Sequence, residues 1–495
     1  MSFISYQFLI FLSAATTIYF VLPSSLRWGW LLLCSCIFYI SYIPIYIFFL
    51  FFLILVDYTI AILMEQANPA KRKWYLLVSI AATCASLLVF KYFNFFNANM
   101  RYLTAFLGMA YPLKDLTWAI PIGLSFHTFQ SLSYVIEVYQ GKIKAERHLG
   151  FYALYVMFFP QLVSGPIERG RNLIPQLRKY HAFNEPMACE GLRLILWGMF
   201  QKIVIADRLG VVVNRVYENL PAYEGLSLVI ALVFFSFQIY CDFAGYSNIA
   251  IGCARILGIR LMCNFSQPYL AVSFADFWHR WHISLSTWFR DYVFIPLGGS
   301  RVASPRWHIN IIITFLLSGL WHGAQWTFVL WGTIHGFFYL AFGWTVRLRQ
   351  WISNFFKLDR WPLPTQIFSQ LITFSLITLA WVFFRARSLQ NIAYIFSHLN
   401  KGWDRPLIWD IYTWGTIGLD KKNFMLAMGS IAFLLVIDLL IERFNRQRPP
   451  LETGDFSSWL VSCPKLLRRS LYIALTLAVF NWGVSEELPF IYFQF

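Results

Sequence analysis

The chain is a succession of apolar runs too long and too numerous for a water-soluble core. It opens with "MSFISYQFLIFLSAATTIYFVLP", and runs of similar character cover 28–63, 74–93, 226–261, 310–344, 366–384, 424–441 and 470–482. About 20 predominantly apolar residues cross the hydrocarbon core of a bilayer as a helix, and a spanning segment must satisfy its own backbone polar groups. Charged residues make up 13% of the sequence, where a soluble protein carries about a quarter. The fold class is therefore an all-α polytopic membrane protein, with roughly 11–13 membrane-embedded helices at the usual span length. The first run lacks a positive n-region and is long enough to span, so it reads as a transmembrane helix and not as a cleaved signal peptide. Pro44 divides the run from Trp28 to Leu63 into two helices. The mixed stretch from Asn94 to Trp118 is expected to lie partly at the interface. No internal repeat and no separately folding polar domain is visible.

The net charge is +16. Its basic residues sit in short loops beside apolar runs, as in "NPAKRKW" (68–74) and "RGRNLIPQLRKYH" (169–181). That is the pattern of cytoplasmic loops and not of a nucleic-acid-binding face. The eight cysteines match no zinc spacing and read as small apolar helix residues.

From residue 119 the texture changes. The stretches 119–142, 150–171, 191–210 and 226–261 are apolar but interrupted by Pro, Gly, His, Gln, Ser and charges, among them Asp242. Polar groups at membrane depth are tolerated where they face protein or a cavity, so these segments are expected to wall a site.

Two histidines carry the chemistry. "LSGLWHG" sets His322 deep in an apolar run, with Gly323 allowing close approach and Trp321 and Trp326 offering flat walls. "FADFWHRWHISLSTWFRD" reads as one interfacial helix, on which Trp278, His282 and Ser286 share a face. Imidazole titrates near neutrality and can take a proton from a hydroxyl. No G-x-S-x-G elbow, H-E-x-x-H or other metal-ligand set is present. Base catalysis on a substrate hydroxyl is the simple option left, with an activated acyl group, commonly a thioester, under attack.

The stretches "PIGLSFHTFQSLSYVIEVYQG", "FFPQLVSGPIER", "YCDFAGYSNIAIG", "FWHRWHISLSTWFRDYVFIPLGGSR", "LWHGAQWTFVLWGTIHG", "WVFFRA" and "FIYFQF" together resemble a membrane-bound O-acyltransferase of the alginate O-acetyltransferase type. The resemblance covers about 119–386 and the last residues, and it implies a ring of helices around a thinned, tunnelled centre. On that pattern the sequence divides into N-terminal helices (1–115), a catalytic core (116–390) and C-terminal helices (391–495). His322 matches the family's essential histidine and His282 its partner. His127 and His279 depart from the usual pattern; His127 is expected to be a packing or tunnel residue. His335 belongs to the pattern, but 13 helical residues set it off the face of His322, so it is expected to be structural.

The implied activity is acetyl transfer from a cytoplasmic thioester, acetyl-CoA, to an exopolysaccharide or wall glycan such as alginate, in the bacterial inner membrane. No permanently bound cofactor and no metal is implied. A periplasmic serine esterase-like protein is the implied partner, alongside the polysaccharide acceptor and membrane lipids. Arginine holds phosphate bidentately, so Arg280 or Arg290 is the expected anchor for the donor. Its apolar arm is expected to pass Trp281 and Trp288 towards Trp321 and His322. The competing reading has both arginines meeting headgroups or pairing with Asp276 and Asp291. D-alanyl transfer towards teichoic acid is the alternative within the family, and a glycan or lipid flippase is the alternative from another class.

Overall fold

The computed structural model describes residues 1–118, 120–403, 417–447, 455–484 and 488–493. Gln494 and Phe495 of "FIYFQF" lie outside them. Among the described residues every regular element is helical. Five helices there are long and apolar enough to cross a membrane: Tyr46–Gln66, Pro69–Phe106, Leu226–Ile256, Pro362–Arg385 and Lys421–Arg446. A sixth span results if Trp326–Trp344 and Val346–Phe355, bent by 50°, are taken together, and Tyr6–Val21 and Ser24–Ile40 are apolar but shorter. The protein is a multi-pass, all-α membrane protein.

It forms two compact units, Met1–Leu192 with Ile249–Met262, and Arg193–Asn248 with Cys263–Phe495. Their boundaries cut across the three blocks of sequence named above.

In the first unit Pro44 separates Ser24–Ile40 from Tyr46–Gln66, as its missing N–H requires. Asn68 caps the next helix by accepting from the Lys71 amide at 3.0 Å, with Pro69 at the first helical position. That helix runs on through a π-helical turn at Leu88–Tyr92 to Phe106. The residues expected at the interface are thus helical to Phe106. Their polar side chains reach the following segment: the Asn94 amide group exchanges two 2.8 Å hydrogen bonds with the backbone of Leu116, and Asn97 donates to Asp115. Buried Asp57 gathers three helices at once. It accepts from Ser79 at 2.6 Å and from Ser131, which also contacts the Tyr152 hydroxyl at 2.9 Å. A carboxylate with several donors is the form in which charge is tolerated in an apolar interior.

In the second unit the helices Ser304–His322 and Trp326–Trp344 make a hairpin whose backbones touch. A Cβ on Gly319 would overlap the carbonyl oxygen of Phe328, and one on Gly332 would overlap that of Phe315. Small residues permit this approach where lipid offers no hydrophobic drive to pack helices.

Candidate active site

The expected single helix around His282 is two short ones. Phe274–Arg280, capped by the Ser273 hydroxyl, ends at an extended Trp281, and Ile283–Phe289 begins after His282. His282 has φ +43° and ψ +54°, a left-handed conformation rare outside glycine. Neighbours fix it from both sides. The Ile283 amide donates to the Asn264 carbonyl at 2.9 Å and the Ser266 amide to the Arg280 carbonyl at 3.0 Å. Ser284 donates to the Asn264 side chain at 2.6 Å, and the His282 carbonyl accepts from Leu285 and Ser286. Trp278, His282 and Ser286 therefore do not share a helical face. Trp278 and Ser286 line a pocket, while the His282 imidazole is fully buried against Phe243, ring centres 4.6 Å apart.

His322 is the last residue of its helix and is buried. Four aromatic rings surround it, with centres at 4.9 Å (Trp321), 4.9 Å (Trp331), 5.2 Å (Phe384) and 5.5 Å (Tyr492). Trp326, expected as a wall, is exposed, because the chain breaks at Gly323 and the next helix presents Trp331 instead. The ring of Phe328 fills the space that a Cβ on Gly323 would need. The two catalytic candidates are brought together through shared neighbours. Trp321 lies 6.1 Å from His282, and Tyr492 lies 6.5 Å from it.

Tyr492 reaches the histidines through a buried ionic cluster. Lys202 donates to Asp207 and Asp242, each at 2.7 Å, and to the carbonyl of Leu488 at 2.9 Å. The second oxygen of Asp242 accepts from the amide of Ile491 at 2.7 Å. One cation between two carboxylates, with its three protons used, accounts for the aspartate found after a long apolar run.

A pocket of about 360 Å³ opens beside these elements. Trp278, Ile283 and Phe315 give it apolar walls, Thr314 and Ser318 supply hydroxyl-bearing side chains, and His279 and Arg290 also line it. Ser318 is one helical turn before His322. Of the residues expected to hold a donor, Arg290 is on this pocket and also pairs with Asp291 at 2.8 Å. Arg280 is not among its lining residues; it is held by Asp276 at 2.7 Å and Glu442 at 2.9 Å. Trp281 and Trp288 are buried in aromatic packing, Trp281 against Phe265 and Trp381, Trp288 against Phe289 and Tyr292. Trp321 stands at the histidines.

His335 is on a different helix from His322, so the spacing argument that set it aside does not apply. Its ring is fully buried 4.7 Å from Trp331 and 5.1 Å from Trp278. His127 is buried in the first unit, and among the described residues neither of its ring nitrogens has a hydrogen-bond partner.

The membrane-bound O-acyltransferase family model matches residues 146–384. The protein named "Probable alginate O-acetylase AlgI" from Pseudomonas putida is 33% identical over 437 residues, covering 87% of this chain and 86% of that one. The chain belongs to the membrane-bound O-acyltransferase family. It is an O-acyltransferase, and both His282 and His322 fall inside the matched region. The peptidoglycan O-acetyltransferase of Helicobacter pylori is 33% identical over 395 residues, covering 73% of this chain and 71% of its own. The teichoic acid D-alanyltransferase of Bacillus subtilis is 29% identical over 288 residues, covering 54% and 70%. Tyr492 lies outside the family match. The sequence alone assigns no role to it, to Trp331 or to Phe384, although "FIYFQF" and "WVFFRA" belong to the resemblance.

Proposed function

We propose that this O-acyltransferase moves acetyl from a cytoplasmic thioester, acetyl-CoA, to a hydroxyl on an extracytoplasmic glycan such as alginate or peptidoglycan. The observation that carries the reading is the pair of buried imidazoles, His282 and His322, with Trp321 and Tyr492 as common neighbours. The relatives named as alginate and peptidoglycan O-acetylating proteins support the acetyl group and the glycan. The D-alanyltransferase likeness covers less of the chain.

His322 acts as general base. It takes the proton of the acceptor hydroxyl as that oxygen attacks the thioester carbonyl. The carbon–sulfur bond then breaks, and the proton passes to the departing thiolate, which leaves as CoA. His282, fixed by its backbone and by Phe243, orients the reacting groups. The pocket beside Ser318 takes the pantetheine arm, with Arg290 near the donor's phosphates. The acceptor side is served by a periplasmic serine esterase-like partner, and the protein sits in the bacterial inner membrane.

Proteoliposomes supplied with radiolabelled acetyl-CoA test this reading. The wild type should release CoA and pass label to the acceptor. His322→Ala should be slower by about 10²–10⁴-fold, the contribution of a general base. Membranes in which the wild type neither binds nor consumes acetyl-CoA would overturn the proposal.

A further inference from the structure

Arg27 is a buried cation of the first unit with no carboxylate against it among the described residues. Its guanidinium donates to three carbonyl oxygens, of Leu22 at 3.0 Å, Phe20 at 3.1 Å and His181 at 2.6 Å. Tyr19 and Tyr180 lie 5.0 and 4.9 Å from it as cation–π partners. These contacts orient the charge without neutralising it, and a buried charge that is not neutralised is costly.

A second cavity of about 360 Å³ lies against this group. Arg178 and Lys179 join Arg27 on its wall, and Trp28, Leu31 and Ile259 give it an apolar side. One carboxylate, Glu146, answers Arg178 at 2.9 Å. The Lys179 ammonium has no partner among the described residues. Ser24 and Ser25, which begin the Ser24–Ile40 helix, also line the cavity. The positive end of that helix's dipole therefore adds to the three cations.

We propose that this cavity binds the phosphate of an anionic phospholipid. Clustered arginine and lysine supply charge-assisted donors to phosphate oxygens. The apolar side decides the source. A free phosphate would leave the apolar wall of Trp28 and Phe151 unused, whereas a lipid lays its glycerol and upper chains against it. Trp28 and Tyr180 are residue types that favour headgroup depth, and basic pockets between membrane helices suit anionic headgroups. The site is independent of the acyl-transfer reading, because none of its residues belongs to the histidine site.

Protein stripped of lipid in a nonionic detergent is titrated with mixed micelles of phosphatidylglycerol or phosphatidylcholine, and with inorganic phosphate. Native mass spectrometry reads what stays bound. The expected result is one phosphatidylglycerol held in preference to phosphatidylcholine, with retention about fivefold weaker in Lys179→Gln, the loss of one basic group at a headgroup. Lys179→Arg should hold the lipid as wild type does. Lys179 is exposed and its replacement leaves the Arg27 contacts intact, so lipid-free melting of both variants should match wild type. Equal retention of the two lipids, or retention unchanged in Lys179→Gln, would overturn the proposal. Full displacement by inorganic phosphate would overturn the lipid as occupant.

Discussion

The backbone amide of Ile491 donates a 2.7 Å hydrogen bond to the carboxylate of Asp242, joining residues 249 positions apart. Asp242 is held in turn by Lys202, so the bond fixes the segment that carries Tyr492 to the framework of the histidine site.

Replacing Asp242 should therefore damage catalysis through Tyr492. Asp242→Ala should lower acetyl transfer by at least about tenfold beyond any fall in membrane level; removing one partner of a buried ion pair costs about 3–5 kcal/mol, so protein level must be measured alongside. Asp242→Asn keeps an acceptor for the Ile491 amide and should retain more activity. The decisive readout is the double variant with Tyr492→Ala, which should be no slower than Tyr492→Ala alone. Additive losses would separate the clamp from the tyrosine.

The phenol of Tyr492 offers a separable test. Tyr492→Phe preserves the ring beside both imidazoles and deletes the hydroxyl. A drop of about tenfold or more in turnover with unchanged acetyl-CoA KM is expected if that hydroxyl acts in the step general-base catalysis assists. Wild-type turnover in Tyr492→Phe would reduce the residue to an aromatic wall.

The left-handed backbone at His282 makes its substitutions unequal. Asparagine adopts this conformation more readily than most residues and keeps a hydrogen-bonding side chain. His282→Asn should thus remain folded and keep measurable activity, whereas His282→Ala should lose most of it. Thermal melting with the turnover assay checks both, and an Asn variant as inactive as Ala would assign the role to imidazole itself.

The two arginines should part company. Arg290 lines the pocket and is more than half exposed, with a side-chain relative exposure of 57%. Arg290→Ala should raise KM for acetyl-CoA with little change in kcat, as loss of a contact made equally in ground and transition states does. Arg280→Ala leaves Asp276 without its cation and Glu442 with Arg446 alone, and should lower stability with KM unchanged. Steady-state kinetics on purified variants, paired with melting curves, would show whether the roles are reversed.

The membrane helices were legible because a spanning segment must satisfy its own backbone, so long apolar runs and the break at Pro44 admit few alternatives. The burial of His322 was legible for a related reason, since it stands deep in an apolar run. The turn at His282 was not. A positive φ on a non-glycine residue leaves no mark in sequence, and the bonds that hold it come from Asn264 and Ser266, well upstream. The placement of Tyr492 beside both imidazoles was not legible, because it depends on the Asp242–Ile491 bond. The swap of Trp326 for Trp331 follows from the break at Gly323, where one apolar run of sequence becomes two helices.

The Asp242–Ile491 tie also sets an order of events during synthesis. The turn at His282 and the helix that ends at His322 leave the ribosome well before residue 491 is made. Until that residue emerges, Asp242 waits with Lys202 alone and the two imidazoles lack their common phenol. A nascent chain therefore carries both histidines before Tyr492 can stand beside them, and their aromatic surround is complete only when residues 488–493 dock.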